Sequence, residues 1–161
     1  LEGDLSQTFR SESCLLFGSG YLANLSFFST IPQKDDVIIY DELCHASIKD
    51  GCRLSLAQKV SFKHNDIEHL AKRLGQKQAQ NIFVAVESVY SMDGDMAPLT
   101  ELVKLCEKYQ AKVIVDEAHS TGIWGNKGSG LCSELELHNR IYARIMTFGK
   151  AMGIHGFGYY G

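Results

Sequence analysis

Proline, long apolar runs and an excess of either charge are what this sequence has least of. Two prolines stand against fifteen glycines in 161 residues. That balance excludes a proline-rich spacer and points to a compact domain with many tight turns, of the kind that bring backbone close to a ligand. The apolar runs are only a few residues long, so none is able to span a bilayer. Sixteen basic and nineteen acidic side chains leave a net charge of −3, spread along the chain. Neither a basic nucleic-acid footprint nor a charged disordered tail is expected. No charged start followed by an apolar segment suggests a secretory signal. The five cysteines, at 14, 44, 52, 106 and 132, are odd in number and contain no C-x-x-C pair. A disulfide framework and a zinc knuckle are both disfavoured, and core thiols in a reducing, cytoplasmic setting are expected.

What is present is an alternation of short apolar runs and amphipathic stretches. Cys14–Phe17 is a short run ending in Gly18-Ser19-Gly20, and Tyr21–Phe28 reads as a helix. Val37–Tyr40 reads as a buried strand, His45–Leu56 as a helix and Lys59–Lys63 as another strand. Asp66 is placed to cap a helix over Ile67–Leu74. Asn81–Glu87 is nearly continuous in apolar residues, as a parallel strand covered on both faces requires. Pro98 starts a helix over Leu99–Tyr109, Lys112–Val115 is a strand ending on Asp116, Gly122–Gly130 is a glycine-rich loop, and Ile141–Thr147 is a last strand. Strand and helix in this order predict one doubly wound α/β domain with a mostly parallel sheet.

In such a sheet, ligands bind at the carboxyl ends of the strands. The polar residues that break the apolar pattern fall there: Gly20, Glu87 and Ser91, Asp116 and His119, Thr147 and Lys150. Gly18-Ser19-Gly20-Tyr21 before a helix reads either as a plain capped turn or as a phosphate cradle, although it is not G-x-G-x-x-G. Asp116 and His119 allow three readings: metal ligands together with Asp93 and Asp95, an acid/base pair, or a hold on a cofactor ring. The metal reading lacks an established ligand spacing. Lys150 sits among small residues and glycines, where partial drying would lower its proton affinity and make it a nucleophile or base. A lysine able to condense with a carbonyl, an aspartate for a pyridinium nitrogen and a phosphate turn together suit pyridoxal phosphate. His45 follows the second strand and could lie flat on an aromatic ring. His64, His69, His138 and His155 have no such placement and read as ordinary.

The ordered motifs Phe17-Gly18-Ser19-Gly20-Tyr21-Leu22-Ala23-Asn24, His45-Ala46-Ser47, Glu87-Ser88-Val89-Tyr90-Ser91-Met92-Asp93-Gly94-Asp95, Asp116-Glu117-Ala118-His119-Ser120-Thr121-Gly122 and Thr147-Phe148-Gly149-Lys150-Ala151 carry a resemblance. The chain resembles the α-oxoamine synthases, pyridoxal 5′-phosphate enzymes of the aspartate-aminotransferase fold (fold type I), and within them the biotin-pathway branch. The resemblance implies a three-layer α/β/α large domain over residues 1–161, truncated, without the family's N-terminal segment and C-terminal small domain. It implies that Lys150 tethers the cofactor and moves the substrate's α-proton, and that Asp116 pairs with the ring nitrogen. His119 and Ser91 then bond the phenolic oxygen, His45 stacks on the ring, and Gly20, Tyr21 and Thr147 hold the phosphate. Glu87 receives no role. The implied reaction condenses L-alanine with a pimeloyl thioester, of coenzyme A or of a carrier protein, with loss of carbon dioxide, in a homodimer. Glycine C-acetyltransferase, serine palmitoyltransferase and 5-aminolevulinate synthase activities stay open, as does a non-catalytic subunit of the same fold.

Overall fold

The computed structural model describes residues 1–153 and the backbone of Phe157–Tyr160; His155 lies outside the described residues. Its elements follow the chain as α1 (Glu2–Phe9), β1 (Cys14–Phe17), α2 (Gly20–Thr30), β2 (Val37–Asp41), α3 (Ala46–Leu54), β3 (Gln58–Phe62), α4 (Ile67–Gly75) and β4 (Ile82–Glu87). They continue as α5 (Leu99–Lys108), β5 (Lys112–Asp116), α6 (Leu131–Glu134), β6 (Ala143–Thr147) and β7 (Phe157–Tyr160). Seven strands form one sheet in the order β1-β7-β6-β5-β4-β2-β3. The five from β3 to β6 are parallel, while β7 runs antiparallel to both β6 and β1.

Residue alternation along the central strands builds the layers. Val84 and Val86 of β4, with Val113 and Val115 of β5, face a core completed by Leu70 and Leu74 of α4 and by Leu102, Val103 and Cys106 of α5. Phe83, Ala85 and Ile114 point the other way, onto Ala23, Phe27 and Phe28 of α2 and onto Ile48 and Cys52 of α3. The result is the expected three-layer α/β/α arrangement, with strands that read as continuous apolar runs because both faces are covered. A smaller cluster of Phe9, Cys14, Met146 and Phe148 seats α1 against the β1 edge. All five cysteines are buried, and none forms a disulfide.

Several boundaries differ from the sequence expectation. The last parallel strand begins at Ala143, because a 3₁₀ turn at His138–Arg140 takes up the residues before Ile141. Helix α1 escapes the pattern, with only Phe9 buried on it. Strand β7 escapes too: it pairs on one side with β6, which precedes it, and on the other with the distant β1.

Two devices fix the carboxyl ends of the strands. Helices α2 and α3 approach at Gly51, where an added Cβ would stand 2.8 Å from Phe28 Cβ and 3.0 Å from the Asn24 carbonyl oxygen. The second corrects a sequence expectation: His64 is no ordinary surface histidine. Its Nδ1 bonds Asp41 at 2.9 Å and its Nε2 bonds Asp95 at 2.7 Å, so it joins the end of β2 to the loop after β4. Asn65 adds bonds to the same two carboxylates. Burial alone would lower the proton affinity of His64, but the bonds to Asp41 and Asp95 outweigh it and raise its pKa above the usual histidine value.

Gly51→Ala is expected to destabilise the fold by about 1–3 kcal/mol through overpacking, whereas Gly3→Ala on α1, where an added Cβ meets nothing within 4 Å, should leave the denaturant midpoint unchanged or raise it slightly through helix propensity. His64→Gln should lose more stability at about pH 6 than at about pH 9. A group with a raised folded-state pKa stabilises fully below its unfolded value, and that contribution fades as pH rises through the folded one. Equal losses at both pH values in thermal melts would contradict the charged bridge.

Candidate active site

The carboxyl ends of β4, β5 and β6 open onto a cavity of about 220 Å³. Ser19, Gly20, Tyr21 and Asn24 line it from the start of α2, and His45 and Ser47 from the start of α3. Glu87 enters from β4, Asp116, Ala118 and His119 from β5 and its loop, and Ile145, Thr147 and Lys150 from β6 and beyond. Five sequence-distant segments thus converge at the edge where a parallel sheet presents its ligands.

Asp116 forms the floor. It ends β5 in register with Glu87 at the end of β4, and only 6% of its surface is exposed. Its Oδ2 accepts from the Asn24 side-chain amide at 2.7 Å, and its Oδ1 accepts from the Ala118 backbone N–H at 2.9 Å. Asn24 lies one turn into α2 and also donates to Ser47 Oγ at 3.1 Å. The Ser47 hydroxyl meets His45 Nδ1 at 2.8 Å, and the Ser47 backbone N–H donates to the same nitrogen at 3.2 Å. In the neutral ring, Nε2 of His45 therefore carries the proton. Asp116, Asn24, Ser47 and His45 form one polar chain along the cavity wall. Buried bonds to a charged group are each worth about 1.5–3 kcal/mol, enough to hold this wall in one arrangement.

Opposite the floor, Lys150 Nζ lies 2.6 Å from His119 Nε2. Partial burial lowers the proton affinity of Lys150, against the pull of Asp116 and Glu87. Burial also lowers the pKa of His119, with the Lys150 charge second. The lysine ammonium then donates to a neutral imidazole nitrogen. At the start of α2, Ser19 Oγ accepts from the Leu22 N–H at 3.1 Å, and the Ala23 N–H bonds the Ser19 carbonyl. The N–H groups of Gly20 and Tyr21 carry no intrahelical bond and lie beside the cavity, at the positive end of an eleven-residue helix. Thr147, buried at the end of β6, completes this side.

Of the residues singled out from the sequence, Gly20, Tyr21, His45, Asp116, His119, Thr147 and Lys150 share the cavity. Ser91 does not line it; it is exposed on the turn held through Asp95 by His64. The carboxylates considered as metal ligands are dispersed: Asp95 binds His64 and Asn65, Asp116 binds Asn24, and Asp93 is exposed. Among the described residues, no group of three or more His, Cys, Asp and Glu is arranged to hold a metal ion. Asn24 and Ser47 were missed as site residues. Their signal is faint: a polar side chain on an otherwise apolar helix face, and a serine in the first turn of a helix.

Known proteins share this fold. The 8-amino-7-oxononanoate synthase of Emericella nidulans is 44% identical over 171 aligned residues, covering 97% of this chain and 41% of that protein. Serine palmitoyltransferase from S. paucimobilis, solved with a bound PLP–myriocin aldimine, superposes with a TM-score of 0.94 at 39% identity, over 99% of this chain and 40% of its own. The 8-amino-7-oxononanoate synthase of Francisella tularensis superposes with a TM-score of 0.85 at 31% identity, over 99% of this chain and 46% of its own. The chain spans about two fifths of the length of the curated relatives it matches. The model of the aminotransferase class I and II family matches residues 3–160, and the chain belongs to that family.

Proposed function

We propose that this chain is the cofactor-binding core of a pyridoxal 5′-phosphate-dependent acyltransferase of the α-oxoamine synthase type. Its reaction condenses L-alanine with a pimeloyl thioester, of coenzyme A or a carrier protein, and releases carbon dioxide and 8-amino-7-oxononanoate. The observation that carries the reading is the single cavity shared by the Lys150 amine, the buried Asp116 carboxylate and the free N–H groups at the start of α2. The names of the curated relatives support the substrates. A homodimer belongs to the same reading, and the exposed apolar side chains Leu54, Leu56, Met92 and Ile123 offer surface for it.

The residues present fit the cofactor by the chemistry of their donors. An amine, a carboxylate locked by two donors and a helix start are the partners that an aldehyde, a ring nitrogen and a phosphate require. When bound, pyridoxal 5′-phosphate supplies an aldehyde that takes up amines and a ring that withdraws electrons from the adjacent carbon. Lys150 would hold it through the amine and, once displaced by substrate, take the proton from the substrate's α-carbon. Asp116 would keep the ring nitrogen protonated, a task that its Asn24 and Ala118 bonds equip it for by fixing both oxygens. His45 would cover the ring, and His119 would serve its phenolic oxygen. Gly20, Tyr21 and Thr147 would take the phosphate. Ser91 keeps its place in the proposal through the resemblance alone.

A second reading, condensation of serine with a long-chain acyl thioester, draws on the TM-score of 0.94 to serine palmitoyltransferase.

Borohydride treatment of the full chain with pyridoxal 5′-phosphate is expected to leave a pyridoxyl group on the peptide carrying Lys150, and none there in Lys150→Ala. Asp116→Asn should still take up the group while losing α-proton exchange by about two orders of magnitude or more; unchanged exchange would remove Asp116 from its role. Turnover assays pairing alanine, glycine or serine with pimeloyl or palmitoyl thioesters should favour alanine with pimeloyl. Turnover confined to serine with palmitoyl thioester would replace the first reading by the second.

A further inference from the structure

Glu87 lines the cavity, yet the proposed function leaves it without a task. It is 4% exposed, at the last position of β4 and beside Asp116 in the parallel ladder. Its Oε1 accepts the backbone N–H of His45 at 2.5 Å, which ties the turn between β2 and α3 to the end of β4. One cavity therefore holds two carboxyl groups, side by side at their strand ends, together with the Lys150 amine. Only one of them, Asp116, is locked by side-chain and backbone donors on both oxygens.

We propose that Glu87 is a positioning residue that sets, through its charge, the pH at which the Lys150 amine becomes reactive, and that it anchors His45 at the cavity wall. This deepens the proposed function and rests on Lys150 being its reactive amine.

The surrounding groups support the assignment. Facing Glu87 are Asp41 from β2, Cys44 and His45 from the turn after it, Tyr90 from its own loop, Asp116 from β5 and Lys150 from beyond β6. His119 reaches the same space from the β5 loop, against Lys150. Burial, reinforced by the Asp116 charge, pushes Glu87 up to about 7, while the His45 N–H and Lys150 oppose the rise. Above that pH two carboxylates hold the ammonium form of Lys150. Below it Glu87 gains a proton and no longer contributes its charge. The proton affinity of Lys150 then depends on the state of Glu87, and the Glu87 charge keeps the amine protonated to a higher pH than Asp116 alone would.

Competitive acetylation of the full chain across a pH series, read by peptide mass spectrometry at Lys150 and at the exposed Lys104 of α5, tests this. Glu87→Gln keeps an oxygen that can accept from His45 but removes the charge. The Lys150 midpoint should fall by about 1 on the pH scale, with Lys104 unmoved. An unchanged Lys150 midpoint, or an equal shift at Lys104, overturns the proposal. If Glu87→Gln does not fold, the wild-type profile decides. An inflection near pH 7 at Lys150 alone supports the coupling, and a single simple titration at both lysines refutes it. Acetylation needs no cofactor, so a wild type that takes no pyridoxyl group at Lys150 defeats the proposed function while Glu87 is still tested.

Discussion

A carboxylate at the end of a strand covered on both faces has to find its hydrogen-bond donors inside the protein, and much of this molecule is arranged to supply them to Asp116. Its donors come from the side chain of Asn24 on α2 and from the backbone of Ala118 just after β5. An unsatisfied charge at that depth would cost several kcal/mol. The Asn24 amide reaches it from α2, which lies close against α3 where Gly51 has no side chain.

The same economy runs through the neighbouring groups. The loop that follows Asp116 is held from behind by Glu117, whose carboxylate accepts from the Cys132 N–H at 2.8 Å and from Ser120 Oγ at 3.0 Å, and lies 3.8 Å from the Arg144 guanidinium. Arg144 in turn donates to the Phe9 carbonyl and to Ser133. A wholly buried ion pair adds little net stability when its partners are also desolvated, but it allows few alternative arrangements. Here it seats α1, α6 and the His119 loop relative to one another. His64 performs the corresponding service for the loop carrying Ser91.

Much of the candidate site was legible because parallel strands expose their functional residues at one end. A run such as Ile82–Val86 announces a covered strand, so the first polar residue after it, Glu87, must lie at the ligand-binding edge. Asp116, Thr147 and Lys150 were readable on the same ground. Asn24 and Ser47 were not, since a polar residue on a helix signals a site only when its helix partner and the strand beneath it are known. Ser91 shows the converse: its motif placed it near the site, but local turn geometry and the grip of His64 on Asp95 set its exposure.

By itself the sequence determined the alternation of strand and helix, the mostly parallel sheet, and the set of strand-end residues from which a site had to be drawn. Periodicity and residue type act locally, and a parallel sheet converts them directly into position. The tertiary structure alone decided that β7 closes the sheet between β1 and β6, that Asp116 is held from α2, and that Glu87 anchors the backbone of His45. The β1–β7, Asn24–Asp116 and His45–Glu87 contacts join groups far apart in the chain, and contacts of that range arise from how whole layers pack.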